Sequence, residues 1–244
     1  MSKKERLDKI VQLKNSHLTR NQVQGFIMQG KVKVDGVVVV KAGTPVALDA
    51  VVEVDDVVPK YVCRAGFKLE GALEHFKPDI VGKVILDAGL STGGFTDCLL
   101  QYGAKKVYGV DVGYGQVHEK IRTDPRVEVI ERTNLRYMKT VGEKVDAITL
   151  DLSFISVLKV MDAVISMLKP DGILIVLIKP QFEASRDDVG KGGIIKEDEV
   201  HAMVIEQVTQ GIIARGFKLN GLITSPLTGM DGNKEFLAYF QRIE

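Results

Sequence analysis

The groups with chemical potential sit in the middle of the chain. Lys83-Val84-Ile85-Leu86-Asp87 is an apolar run ending in an acid, and Gly89, Gly93 and Gly94 follow, with Ser91 and Thr92 between them. Glycines at the end of a strand let the backbone turn tightly into a helix and let a ligand approach it closely. A pyrophosphate-binding turn spaces its glycines one and then two residues apart, so that the anion rests on the helix N-terminus. Here Gly89 is followed after three residues by a Gly-Gly pair, and Asp87 adds a carboxylate that repels a pyrophosphate but attracts an ammonium. That combination favours the methionine moiety of S-adenosylmethionine over a nicotinamide dinucleotide. Asp111 lies 22 positions after Gly89 and ends the next apolar run, Val107-Tyr108-Gly109-Val110. An acid there can accept hydrogen bonds from both ribose hydroxyls of an adenosine. Asn134 is a candidate for the adenine side, although an asparagine in a loop also serves as a cap.

Asp151 follows the apolar run Ala147-Ile148-Thr149-Leu150, and Lys179 follows residues 173–178. Each alone reads equally well as a solvated charge at a strand end. On neighbouring strands, however, the two would face one crevice. A hydroxyl is a poor nucleophile until deprotonated, and methyl transfer from a sulfonium is an in-line displacement that needs its three atoms aligned. Such a reaction needs a base and a clamp. A lysine serves as base when desolvation and a nearby cation depress its pKa, with a carboxylate to position it. Lys68 and Glu235 are available to complete that network.

The elements that must position these groups follow from hydrophobic periodicity. Strands are expected at residues 84–87, 106–110, 127–130, 145–150, 172–178, 217–224 and 236–242, alternating with helices, one of which begins near Phe95. In a doubly wound sheet of this kind ligands bind at the carboxyl ends of the strands. The first 60 residues have another texture. Residues 6–11 carry apolar positions at helical spacing. Thr19 is placed to cap a second helix, on which Val23, Phe26 and Ile27 share a face before Gly30 stops it. Residues 31–34 and 37–40 are β-rich and joined by Asp35-Gly36, a dipeptide suited to a two-residue primed turn. Gly43-Thr44-Pro45 breaks the pattern before residues 51–54. The segment that starts Pro59-Lys60-Tyr61-Val62 is expected to be a short linker.

Up to Lys41 there are nine bases and three acids, a local excess in a chain whose net charge is only +1. The balance argues against a polycation that binds nucleic acid through bulk charge, and short basic clusters are as often plain solvated surface. The order helix, helix, then Gly30-Lys31-Val32-Lys33-Val34-Asp35-Gly36 resembles the alpha-L RNA-binding motif of the S-four type. In that family the two helices and the hairpin grip structured RNA, which makes Lys9, Arg20, Lys31 and Lys33 candidate RNA contacts.

Lys68, Asp151, Lys179 and Glu235 resemble the Lys-Asp-Lys-Glu tetrad of FtsJ-like ribose 2′-O-methyltransferases. The longer runs Cys63-Arg64-Ala65-Gly66-Phe67-Lys68-Leu69, Ser91-Thr92-Gly93-Gly94-Phe95-Thr96-Asp97, Asp111-Val112-Gly113-Tyr114-Gly115-Gln116 and Lys179-Pro180-Gln181-Phe182-Glu183 are similar to those of the TlyA, or hemolysin A, family. Gly190-Lys191-Gly192-Gly193 and Gly232-Asn233-Lys234-Glu235-Phe236-Leu237 extend the likeness over almost the whole chain. Leu90 departs from the family, which has a small residue in the cofactor loop, and Ala65 stands where the family often has glycine. The resemblance implies an α/β fold, namely a Rossmann-like seven-stranded methyltransferase domain over residues 64–244. A small N-terminal α+β alpha-L domain would span residues 1–58, with a linker at 59–63. It also implies S-adenosyl-L-methionine as cofactor, held by Asp87, Gly89, Ser91, Thr92, Gly93, Gly94, Asp111 and Asn134. The partner would be ribosomal RNA or a ribosomal subunit, the acceptor a cytidine 2′-hydroxyl, and the base Lys179, oriented by Asp151 and supported by Lys68 and Glu235. Residues 183–193, with Arg186 and Lys191, are expected either to order on an RNA backbone or to form a surface loop.

At 244 residues the chain can bury one large core and a small second one. Two cysteines, Cys63 and Cys98, and four scattered histidines form no zinc or haem pattern, so no metal is expected, and the cysteine usage fits a reducing compartment. The charged start lacks the apolar core of a signal peptide, and the apolar run at 173–178 is too short to cross a bilayer. The expectation is a cytoplasmic protein without a membrane partner. The competing readings are a membrane-active hemolysin and a noncatalytic RNA-binding protein.

Overall fold

In the computed structural model the described residues are 4–15, 18, 20–54, 60–229 and 231–243. Thr19, expected as a helix cap, and the boundary residues Val58 and Pro59 lie outside them. The chain divides into two compact units, Met1–Pro59 and Lys60–Glu244.

The first unit runs β1 (Lys4–Arg6), α1 (Leu7–Lys14), α2 (Arg20–Met28), β2 (Val32–Val34), β3 (Val37–Val38), β4 (Pro45–Ala47) and β5 (Val52–Val54). Leu7, Ile10 and Val11 on α1 and Val23, Phe26 and Ile27 on α2 fall at the i, i+3, i+4 spacing of one helix face, and all are buried in one cluster with Val32 and Val46. The Asp35-Gly36 turn has positive φ at both residues, 50° and 80°, and sets Lys33 opposite Val38 and Val34 opposite Val37. β2 also pairs with β5, and β1 pairs antiparallel with β4, two short strands absent from the sequence expectation. Part of the basic excess is spent internally. Arg6 forks onto the buried Asp8 through Nε and Nη2 at 3.0 and 2.8 Å, holding that carboxyl below the usual range, and Lys9 lies 3.4 Å from Glu5.

The second unit opens with α3 (Ala65–Phe76) and β6 (Val84–Ala88), then α4 (Gly94–Gln101), β7 (Lys106–Val110), α5 (Glu119–Arg122), β8 (Val127–Ile130) and β9 (Val145–Leu150). It continues with α6 (Met161–Met167), β10 (Leu168–Ile178), α7 (Pro180–Glu183), α8 (Asp198–Ile213), β11 (Phe217–Thr224) and β12 (Phe236–Arg242). Seven strands form one sheet in the order β11-β12-β10-β9-β6-β7-β8, with β12 antiparallel to both neighbours and the strands from β10 to β8 mutually parallel. β10 begins earlier than residue 172, because a register irregularity between Leu168 and Ile173 carries the strand past Pro170 and Gly172. Alternation along the strands feeds two cores. Leu86, Ile148 and Val176 face α6 and α8, whereas Ile85, Ala147 and Ile175 face α3 and α4. The chain moves outward from β6 to β7 and β8 and then returns to β9 on the other side of β6. The loops after β6 and β9 therefore flank the switch point where such sheets open a crevice.

Candidate active site

A cavity of about 500 Å³ opens at that switch point, lined among others by Gly89, Ser91, Asp111, Asn134, Asp151 and Phe154. Asp111 is fixed by two backbone donors: Ser91 N donates to Oδ2 at 2.7 Å and Gly113 N to Oδ1 at 2.6 Å. Each carboxylate oxygen keeps a lone pair for a further donor, as binding a diol requires. Asn134 lines the cavity and also caps the 3-10 turn Leu135–Tyr137, its Oδ1 accepting from Arg136 N at 3.0 Å. The cap expected of a loop asparagine is thus formed by a side chain that also borders the cavity.

The remaining residues of the glycine turn meet groups of the protein itself. Asp87 does not line the cavity. It shares the α4 side of β6 with Ile85, is fully buried, and accepts from Thr96 Oγ1 at 2.7 Å and Thr149 Oγ1 at 2.9 Å. Burial pushes its carboxyl up to about 6 in spite of those two hydrogen bonds. Thr92, Gly93 and Gly94 are likewise absent from the lining. The glycines make room for protein: a Cβ on Gly89 would lie 2.2 Å from the Asp151 carbonyl oxygen, on Gly93 2.8 Å from Ile121, and on Gly94 2.5 Å from Cys63 Sγ. Of the three, Gly89 alone also lines the cavity. Leu90 turns away from the cavity into a cluster with Val117 and Ile121, over Gly109, where a Cβ would meet it at 2.7 Å.

The expected tetrad falls into two ion pairs. Asp151 follows β9 and Lys179 follows β10, and Lys179 Nζ lies 2.6 Å from Asp151 Oδ1. That contact is ionic, without the alignment of a hydrogen bond, and Nζ donates to Ser153 Oγ at 3.1 Å. Lys68, in the first turn of α3, meets Glu235 just ahead of β12, Nζ to Oε2 at 2.5 Å, with the two side chains only 7% and 3% exposed. β10 and β12 pair Ile178 with Phe236, and continuing that register sets Lys179 opposite Glu235. Three adjacent strand ends thus carry Asp151, Lys179 and Glu235. Ser153 and Phe154 were missed by sequence reasoning. Phe154 lines the cavity, is 90% exposed, has φ of 65° and packs 4.9 Å from the Phe182 ring. A phenylalanine and a serine just after a strand-end acid were the available signal.

Elsewhere, residues 60–63, expected in a linker, are tied into the second unit. The Tyr61 hydroxyl donates to Glu70 at 2.8 Å, and Val62 N donates to Asp97 at 2.8 Å. The stretch at 183–193 holds two 3-10 turns with Arg186 and Lys191 exposed. Its far end is fastened by Asn233, whose Nδ2 donates to Gly193 O and whose Oδ1 accepts from Ile195 N. In the first unit Lys9, Arg20 and Lys33 are exposed, and Lys31 lies over the Phe26 ring at 5.4 Å. Among the described residues no helix is long and apolar enough to cross a membrane, and no group of acidic, histidine or cysteine side chains is arranged to hold a metal ion.

Similarity to known proteins agrees with this architecture. A relative in Bacillus subtilis, the candidate rRNA methyltransferase YqxC, is 43% identical over 98% of this chain and 86% of its own length. The 16S/23S rRNA (cytidine-2′-O)-methyltransferase TlyA of Mycobacterium tuberculosis is 38% identical over 99% of this chain and 91% of its own. A solved structure of a candidate hemolysin from Streptococcus thermophilus superposes with a TM-score of 0.77 at 36% identity, covering 100% of this chain and 90% of that one. Residues 5–52 match the S4 domain. With residues 61–242 matching the FtsJ-like methyltransferase model around the crevice just described, the chain belongs to the FtsJ-like methyltransferase family.

Proposed function

We propose that this protein transfers a methyl group from S-adenosyl-L-methionine to the 2′-hydroxyl of a cytidine in ribosomal RNA, with Lys179 as general base. The observation that carries the reading is the Lys179–Asp151 pair at the rim of a cavity whose wall presents Asp111. The cavity suits the cofactor: Asp111 has lone pairs for a ribose diol, Asn134 offers an amide to a base edge, and Leu135 and Val160 give apolar walls. When bound, S-adenosyl-L-methionine supplies an electrophilic methyl group. Lys179 first gives up to solvent the proton it holds in the ion pair; the neutral Nζ then accepts the proton of the ribose hydroxyl, and the Asp151 carboxylate 2.6 Å away stabilises the ammonium that results. Ser153 fixes the lysine's direction from the other side. The exposed ring of Phe154 offers an apolar face to the base of the acceptor nucleotide. In this reading residues 64–244 carry the chemistry, and residues 1–58 grip ribosomal RNA through Lys9, Arg20, Lys31 and Lys33 in the cytoplasm.

The test is transfer of labelled methyl to separated ribosomal subunits, comparing wild type with Lys179→Ala. Label is expected on a cytidine ribose, and the variant should lose about 100-fold or more of the rate, as removal of a general base does. Label on a base or on protein, or undiminished transfer by the variant, would sink the mechanism.

A further inference from the structure

Lys179 and Phe154 stand on different loops, after β10 and after β9, and their relative placement needs a cause. Glu183 at the end of α7 supplies one. It is 8% exposed, and its Oε1 accepts the backbone N–H of Val157 at 2.8 Å. The loop of residues 152–156 is thereby held at both ends, since Asp151 N donates to Ala88 O at 2.9 Å. Between those anchors the loop carries the cavity-lining residues Leu152, Ser153, Phe154 and Ile155. Phe154 sits at φ of 65°, a left-handed conformation that a bulky side chain leaves unless its surroundings impose another shape. Phe182, one residue before Glu183, packs against it with the two rings tilted by 51°.

We propose that Glu183 is a positioning residue for methyl transfer: by holding Val157 it fixes the strained Phe154 loop against the Lys179 strand, so that base capture and hydroxyl activation share one geometry. This rests on the functional reading above. Burial pushes the Glu183 carboxyl above the usual range, against the hydrogen bond that Val157 N donates to it. A neutral side chain with an acceptor oxygen should therefore do the same work. The role is an acceptor's and does not require a negative charge at Lys179.

The test compares Glu183→Leu, which fills the space without an acceptor, with Glu183→Gln, which keeps one. Two readouts are taken at a temperature where each variant is folded. Hydrogen exchange over residues 152–158 is expected to quicken about tenfold or more in the leucine variant and to stay near wild type in the glutamine variant. The kcat for ribosomal RNA is expected to fall about 10- to 100-fold in the leucine variant, with the KM for cofactor within about threefold, and to be restored by glutamine. Equal damage in both variants would show that charge matters and overturn the proposal, as would unchanged exchange or unchanged kcat in Glu183→Leu. If the leucine variant does not fold, Glu183→Gln decides alone: wild-type exchange and kcat support the acceptor role, and loss of either refutes it. If wild-type protein methylated no ribose, the functional reading would fall while the exchange experiment still judged the clamp.

Discussion

Asp87 offers a measurement that separates a structural acid from a cofactor ligand. Its native carboxyl is pushed from 3.8 up to about 6, chiefly by complete burial. The native state therefore holds this proton more tightly than the unfolded chain does. The stability the group confers is complete below about pH 4 and is lost as pH rises through 6. The displacement from 3.8 to about 6 corresponds to about 3 kcal/mol at neutral pH, at about 1.4 kcal/mol for each tenfold step. In a domain of this size that is about 6–12 °C in Tm. Asp87→Asn removes the ionisable proton and keeps one acceptor oxygen, while one threonine hydroxyl can turn to accept from the new amide. Thermal unfolding of both proteins should be followed from pH 4 to 8. The variant is expected to gain on the wild type as pH rises through 6 and to be the more stable of the two at pH 8. A difference curve that is flat with pH would refute the burial argument. The same variant should bind S-adenosyl-L-methionine within about threefold of wild type, whereas loss of a direct ammonium contact would cost about tenfold or more. A large affinity loss without a stability change would restore Asp87 to the cofactor.

Other perturbations test the crevice from different sides. Gly89→Ala forces a side chain onto a φ of 91° and to 2.2 Å from the Asp151 carbonyl, so unfolding should show a loss of about 2–4 kcal/mol together with a fall in methyl transfer. Gly82→Ala, at a φ of 70° with open space around it, is the control and should cost about 1 kcal/mol with activity unchanged. Lys68→Met leaves Glu235 buried and unpaired and should cost about 3–5 kcal/mol by denaturant titration. The double variant Lys68→Met with Glu235→Leu should recover most of that stability. If methyl transfer stays low in the stable double variant, the pair takes part in positioning the reaction; if it recovers, the pair serves the fold alone.

The sheet was legible because its signals are local. The strands at 106–110, 127–130, 145–150, 217–224 and 236–242 occupy the residues that periodicity assigned to them, and the Asp35-Gly36 hairpin forms as its turn chemistry requires. What escaped depends on neighbours distant in sequence. β1 and β4 are three residues each and include Lys4, Glu5 and Pro45, too short and polar for an alternating pattern to register. The glycines at 89, 93 and 94 announced close approach correctly, but the approaching groups are Asp151, Ile121 and Cys63, which no spacing rule identifies. Asp87 likewise has neighbours that its own run does not announce. A strand-end acid is normally read as facing the crevice, yet strand alternation puts Asp87 on the α4 side with Ile85, and the parallel register aligns it with Thr149. Thr149, in an otherwise apolar run, was the signal that it had a partner of its own.

The four charged residues of the crevice divide along the same line between local and distant information. Asp151, Lys179 and Glu235 are predictable from strand ends once β9, β10 and β12 are adjacent, because sheet register sets the height of each residue. Lys68 arrives from a helix on one face of the sheet, where no strand register sets its height. Their surroundings then separate their work. Lys68 and Glu235 are nearly sealed, so neither can reach a substrate without opening the wall, and a proton passed between them stays within the protein. Lys179 and Asp151 are 12% and 14% exposed, Asp151 lines the cavity, and Lys179 Nζ also donates to Ser153 Oγ. A base must meet both its substrate's proton and a counter-charge for the cation it becomes. Of the four, Lys179 alone is an amine whose partner carboxylate lines the cavity.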